Sequence, residues 1–186
     1  TFNVNRDRKT MTGDKVRDFH VPVTLDDYRA LYRGYLQDPD LQDARAHWPF
    51  VCVWDNHEFS WRGWQGFVKT VEAGHPAQTR KVAANQAWFE FQPARIRNPG
   101  GAELERFAPP KVVDAPVERF DEQGIGQEPN NLAAIDSLLI YRRLRFGNLI
   151  DFTVLDTRQF RSNQSCNGVS ATGCTDADSP TRTILG

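Results

Sequence analysis

Cysteine is scarce in this chain of 186 residues: three thiols are too few for a disulfide scaffold or for a zinc site built of thiolates. Net charge is nearly absent as well. Twenty-three Lys+Arg against 24 Asp+Glu leave a formal charge of -1, so no global electrostatic argument exists for a nucleic-acid or anionic-membrane partner. An anionic substrate must be drawn by local charges or by metals. Apolar runs approaching the ~20 residues that span a bilayer are missing, and the opening TFNVNRDRKTMTGD has no signal-peptide core. No internal repeat or low-complexity tract interrupts the text. What is present, 39% hydrophobic residues, is enough for one ordinary globular core.

The first 20 or so residues are polar and show no period, and are expected to be loop or extended surface chain. From Thr24 the text TLDDYRALYRGYLQ predicts a helix: Thr24 as cap, Asp26 and Asp27 in the first turn, apolar residues at helical spacing behind them. DPDLQDARAHW repeats the start signal, with Asp38 as cap and Pro39 at the first helical position. QTRKVAANQAWFEFQP brings Val82, Ala83, Ala87, Trp88 and Phe91 onto neighbouring helical rows before Pro93 ends the helix. Between Asn98 and Pro129 glycine, proline and charge predict a long irregular excursion, with one short strand around Lys111 to Val113.

Two β-rich segments in LLIYRRLRFGNLIDFTVLDTR flank Gly147 and Asn148 and predict a tight hairpin. With those two residues as the loop, Phe146 faces Leu149, Leu144 faces Asp151 and Arg142 faces Thr153. Ile140, Leu144, Phe146, Leu149 and Leu155 then share one side. The second strand, apolar on both faces apart from Asp151, is expected to be the more central, and it ends in another acid, Asp156.

FVCVW, an unbroken apolar run, predicts a strand buried on both faces, with Cys52 a buried, inert thiol. It ends abruptly in Asp55-Asn56-His57-Glu58, at the strand's C-terminal edge where ligands gather in α/β folds. A carboxylate, an amide oxygen and an imidazole form a mixed ligand set suited to Mn, Fe, Zn or Ca. Adjacent side chains on such a turn point to different tasks, and His57 is the natural residue to orient or protonate an oxygen. The same four residues also suit an ordinary solvated turn.

The ordered set LDDYRALYRGYLQDPDLQDARAHWPFVCVWDNHEF, VAANQAWFEFQPAR, LIYRRLRFGNLIDFTVLDTRQFRS and TRTILG resembles the alkaline phosphatase D, or PhoD-like, family of metallophosphatases. In that family the histidine segment commonly reads WDDHE, similar to the GNHE or GNHD of calcineurin-like phosphoesterases. Asn56 here replaces the second Asp, and Ser60-Trp61 replaces the Asn pair of many relatives. The resemblance implies an α/β fold, part of a calcineurin-like α/β/β/α sandwich, and hydrolysis of small phosphate esters, mono- or diesters. It further implies two or more divalent or trivalent metal ions (Fe, Ca, Mn or Zn) and export to the periplasm or medium.

On that basis Asn56 is expected to be a metal ligand, Asp55 a secondary ligand or a brace of the turn, and His57 the group that contacts phosphate and assists the leaving oxygen. Two metals would polarise the phosphoryl oxygens and deprotonate a bridging water. Glu58 is expected to brace the histidine or the backbone behind it. Arg158 is the candidate phosphate clamp, with a pair to Asp156 as the alternative; Arg161 ranks below it. The family's first metal-binding segments, with a GDYIYE-like stretch, would precede residue 1 and its later histidines would follow residue 186. The chain is therefore expected to be an internal part of one such domain, inactive alone, with an unpaired sheet edge. Cys166 and Cys174 bracket a short polar loop, CNGVSATGC; whether they bridge is left open, and a bridge would favour export. A reading from another class is a noncatalytic module that binds a ligand in a cleft lined by Trp54, Trp61, Trp64 and Trp88.

Overall fold

The computed structural model describes residues 15–16, 19–20, 22–55, 57–60, 63–69, 74–94, 96 and 105–163. Among the described residues, four helices and three separate two-stranded antiparallel ladders make up the regular structure. The N-terminal ladder pairs β1 (Lys15–Val16) with β2 (Phe19–His20).

Helix α1 (Leu25–Leu36) begins where the sequence says it should. Thr24 Oγ1 accepts from Asp27 N at 3.2 Å while Asp27 Oδ2 accepts from Thr24 N at 3.0 Å, a reciprocal capping box. Helix α2 (Pro39–His47) follows after two residues, its first free N–H groups, on Asp40 and Leu41, donating to Asp38 Oδ1. A further ladder, β3 (Phe67–Lys69) with β4 (Gly74–Pro76), was not expected from the text around Gly74-His75-Pro76.

Helix α3 (Gln78–Phe91) is the axis of the molecule. Val82, Ala84, Ala87 and Trp88 are buried, as are the polar residues Gln78, Arg80, Lys81 and Asn85. One apolar cluster joins Val82 and Trp88 to Trp54, Ile96, Phe107, Leu138 and Ile140; a second joins Ala84 and Ala87 to Tyr28, Phe59 and Ala77. Its buried amides bond to other segments, although Asn85 Oδ1 has no hydrogen-bond partner among the described residues. Gln78 pairs with the N–H and C=O of Ala115 at 3.1 and 2.9 Å, and Asn85 Nδ2 donates to Ala134 O and Ser137 Oγ. Ala77 gives no side-chain cap; instead Asp114, from the excursion, accepts from Thr79 N at 2.8 Å.

The excursion is irregular over its described part, residues 105–128, and Lys111 to Val113 form no strand there. The N–H of Val113 goes to Asn130 Oδ1, so side chains, not a ladder, satisfy this backbone. The short helix α4 (Pro129–Ile135), which periodicity alone did not reveal, packs beneath α3 through Ala134 and Ile135.

The hairpin forms, but one residue out of the expected register. Strands β5 (Arg142–Phe146) and β6 (Ile150–Val154) pair Phe146 with Ile150, Leu144 with Phe152 and Arg142 with Val154. The loop is three residues, with Gly147 at φ +60°, and Leu149 stands almost wholly exposed at the tip. A one-residue slip exchanges the faces of a strand. Leu144, Phe146, Ile150 and Phe152 therefore share one side, and Arg143, Arg145, Asp151 and Thr153 the other, where Arg143 and Asp151 form an ion pair. Nor is β6 central among the described residues: Ile150 is 57% and Phe152 46% exposed.

Residues 51–55 run extended without forming a strand, and Val51 and Val53 are exposed. A strand needs a ladder partner, and no described strand lies alongside. The Cys52 carbonyl is taken up by Arg142 Nη2 at 2.7 Å instead. Cys52 is half-buried rather than buried, and its thiol pKa is pushed up mainly by that burial.

Candidate active site

Asp55, His57 and Glu58 leave the end of the extended run as a turn, closed by Glu58 N donating to Asp55 O at 3.4 Å. Asn56 lies outside the described residues, as do Trp61, Cys166 and Cys174. Asp55 and His57 are exposed. The Glu58 carboxylate turns inward, accepting from Asp55 N at 3.1 Å through one oxygen and from the Tyr32 hydroxyl at 3.0 Å through the other. Burial pushes its pKa up, against the two hydrogen bonds that pull it down.

Below the turn sits Lys81, 3% exposed. Its ammonium lies 4.3 Å from the centre of the Trp54 ring and 5.2 Å from that of Phe59, a double cation–π contact. Burial pulls its pKa down to about 7, partly countered by Asp156 and Glu58. Phe59 is tied in turn to α1 and α3: its carbonyl accepts from the buried Tyr28 hydroxyl, which itself accepts from Arg80 Nε at 2.9 Å. Burial raises the Tyr28 pKa to about 12, so the phenol stays a donor.

Arg158 reaches this place from the far end of the chain. An enclosed space of about 10 Å³, room for roughly one water molecule, is lined by Asp55, Glu58, Lys81 and Arg158 together with Trp54 and Trp64. Asp156 accepts from Arg158 N and Gln159 N at 3.0 Å and from Gln159 Nε2 at 2.6 Å. It thus holds the Arg158 backbone, and no ion pair is found between the Arg158 guanidinium and an acid among the described residues. Arg158 Nε is buried without a hydrogen-bond partner. Arg161 donates to Gly63 O at 3.1 Å, and burial and the nearby Arg158 both lower its pKa.

A larger cavity of about 380 Å³ is lined by residues of α1 and α2 and by Phe50, Cys52, Asp55, His57 and Glu58. Tyr32, stacked on Phe91 at 5.4 Å, forms part of its wall.

The structure thus brings Asp55, Glu58 and Arg158 around one space, with His57 on the same turn. Among the described residues no three of His, Cys, Asp and Glu converge as a metal cluster, so these residues alone do not make a metal site. Lys81 and Tyr32 escaped the reading of the sequence, since both sit in helical text where periodicity reports only a buried face. Among the described residues no aromatic cleft forms: Trp54, Trp64 and Trp88 are buried, Trp54 against Trp88 at 5.5 Å and Trp64 against Phe67 at 5.1 Å. These rings are spent on packing.

A family model described as PhoD-like phosphatase matches residues 3–186. Alkaline phosphatase D of Bacillus subtilis (strain 168) is 29% identical over 169 residues, which is 88% of this chain and 22% of that protein. A solved structure of PhoD is similar with a TM-score of 0.60 at 27% identity, covering 92% of this chain and 27% of its own. The chain spans 22% to 27% of the length of these relatives.

Proposed function

The chain belongs to the PhoD-like phosphatase family, and from that premise we propose that the intact protein is a metal-dependent phosphoric ester hydrolase. This chain contributes the Asp55–Glu58 turn and Arg158. The observation that carries the proposal is their convergence: residues about 100 positions apart line one small space in a chain matched by the family model along nearly its whole length.

In this reading Asn56 and Asp55 supply part of a metal donor set completed by other segments of the longer protein, in a binuclear arrangement. When bound, the metals supply Lewis acidity and an activated water. His57, exposed on the turn, meets the phosphate and hands a proton to the leaving oxygen. Glu58 holds the Asp55 backbone and Tyr32, fixing the direction in which the turn presents its donors. Arg158, with an unpartnered Nε, offers a planar fork to the phosphoryl oxygens, and Asp156 fixes its backbone.

The helices and ladders are part of a calcineurin-like sandwich. The exposed apolar residues Val51, Val53, Ile150 and Phe152 support neighbouring strands supplied from outside this chain. The chain alone is inactive, and the intact enzyme acts in the periplasm or medium.

The test uses the full-length protein. Asn56→Ala is expected to lose bound metal and activity together, measured by elemental analysis and phosphate release. His57→Ala keeps its metal while turnover falls by ~10²–10⁴-fold, the usual size of a general-acid contribution. Wild-type turnover in both variants would take these residues out of the mechanism.

A further inference from the structure

The 380 Å³ cavity beside the turn is lined by groups of opposite character. Asp55 and His57, both exposed, line it. So do Leu31 and Tyr35 of α1, Leu41 of α2 and Phe50, which supply apolar surface. The volume lies within the ~300–1,000 Å³ typical of small-molecule sites, and an apolar cavity of ~150 Å³ already holds benzene. Arg45 lines the cavity as well. Its Nη2 donates to Gln92 Oε1 at 3.1 Å and its guanidinium lies 5.8 Å from the centre of the Phe50 ring, yet its Nε is buried without a hydrogen-bond partner. A buried unmatched donor is unfavourable, and the guanidinium that carries it lines the cavity, where a ligand oxygen can meet it. The Glu58 carboxylate is occupied by Tyr32 and the turn backbone, so Glu58 is not available to a cationic ligand.

We propose that this cavity binds the organic substituent of the ester, so that the preferred substrates are phosphodiesters carrying an aromatic or branched aliphatic group with an acceptor oxygen near the phosphorus. The inference rests on the reading of the Asp55–Glu58 turn as the reacting end. A sugar or a second phosphate would leave its polar groups against Leu31, Leu41 and Phe50 and lose the water they had. An aryl or alkyl group loses nothing there and gains the burial of its surface.

Two diesters with the same leaving group separate the possibilities: phenyl 4-nitrophenyl phosphate and methyl 4-nitrophenyl phosphate, assayed with the full-length protein. The expected result is a kcat/KM about tenfold or more in favour of the phenyl ester, expressed in KM. Leu41→Glu should bring the ratio of the two close to one. Tyr35→Ser, at a residue 41% exposed, is the second variant and should lower the ratio in the same direction, with circular dichroism confirming that both variants fold. Equal efficiency toward both esters in the wild-type protein would overturn the inference and leave the hydrolase reading intact; this is the outcome if another segment of the longer protein fills the cavity. Hydrolysis of neither ester, with binding of 1-naphthyl phosphate that Leu41→Glu abolishes, would overturn the preference for diesters and keep the cavity; release of phosphate from 1-naphthyl phosphate would then keep the hydrolase reading, and no release would overturn it. Neither hydrolysis nor binding would overturn both.

Discussion

Lys81 shows how a single side chain couples the core to the turn above it. Its ammonium is held by two ring faces and by the fields of Glu58 and Asp156, and burial still wins, lowering its pKa to about 7. A lysine whose folded pKa is lowered binds its proton more weakly folded than unfolded. Between about pH 7 and the ordinary value of 10.5 the unfolded chain therefore holds more protons, and stability rises with pH through that window. Lys81→Met should flatten this slope and stabilise the chain most near pH 7, as read by urea midpoints at pH 7 and 9.5. A parallel slope in both proteins would mean that the ammonium is solvated. The capping residues Thr24 and Asp38 were legible because a cap is a local bargain between neighbours in sequence. The surroundings of Lys81 were not, since Trp54 and Phe59 reach it from one stretch and Asp156 from another about 100 residues on.

Among the elements, the hairpin separates what alternation decides from what the loop decides. RRLRF and IDFTV lie in β-rich segments on either side of Gly147 and Asn148, so the existence of the two strands could be read directly. Register could not, because adding Leu149 to the loop shifts every pair by one. Gly147 at φ +60° fixes that choice, with no atom within 4 Å of where a Cβ would stand. The cost of a side chain there is thus conformational rather than steric, ~1–2 kcal/mol for a β-branched residue. Gly147→Val should lower the urea midpoint accordingly, and Gly147→Asn by clearly less, since Asn tolerates this region. Equal losses would point to a contact rather than to backbone conformation. FVCVW misled for the opposite reason. Its composition suits a doubly covered strand, but covering depends on neighbours that composition cannot name. Helix α4 was missed because seven residues without a side-chain cap carry little signal, and its place is set by packing against α3.

Across the whole molecule, apolar surface is distributed unevenly. Phe146, Ile150 and Phe152 are exposed along one side of the hairpin, and Val51 and Val53 along the extended run. Exposed strand faces of this kind invite association. The 186-residue chain is expected to self-associate at micromolar concentration and to bind a hydrophobic dye, and Ile150→Lys with Phe152→Thr should reduce both, measured by light scattering and dye fluorescence. A monomeric, dye-silent wild-type chain would contradict this. The order of the segments along the chain was legible because they resemble the family as a set. The convergence of Arg158 with the Asp55–Glu58 turn was not, since it arises only when segments about 100 residues apart fold together.

Gln65 gives the irregular excursion a property that its appearance does not advertise. Its amide donates to Gly124 O and Arg161 O and accepts from Gly126 N and Asn131 Nδ2, all within 2.8–3.1 Å, so one side chain knots three distant stretches together. A protease needs several residues of slack chain to seat a peptide bond, and residues 117–128 have none to spare while that knot holds. Limited trypsin digestion should leave the Arg119 bond intact in the wild-type chain and cut it early in Gln65→Leu, a difference visible by mass spectrometry within the first minutes.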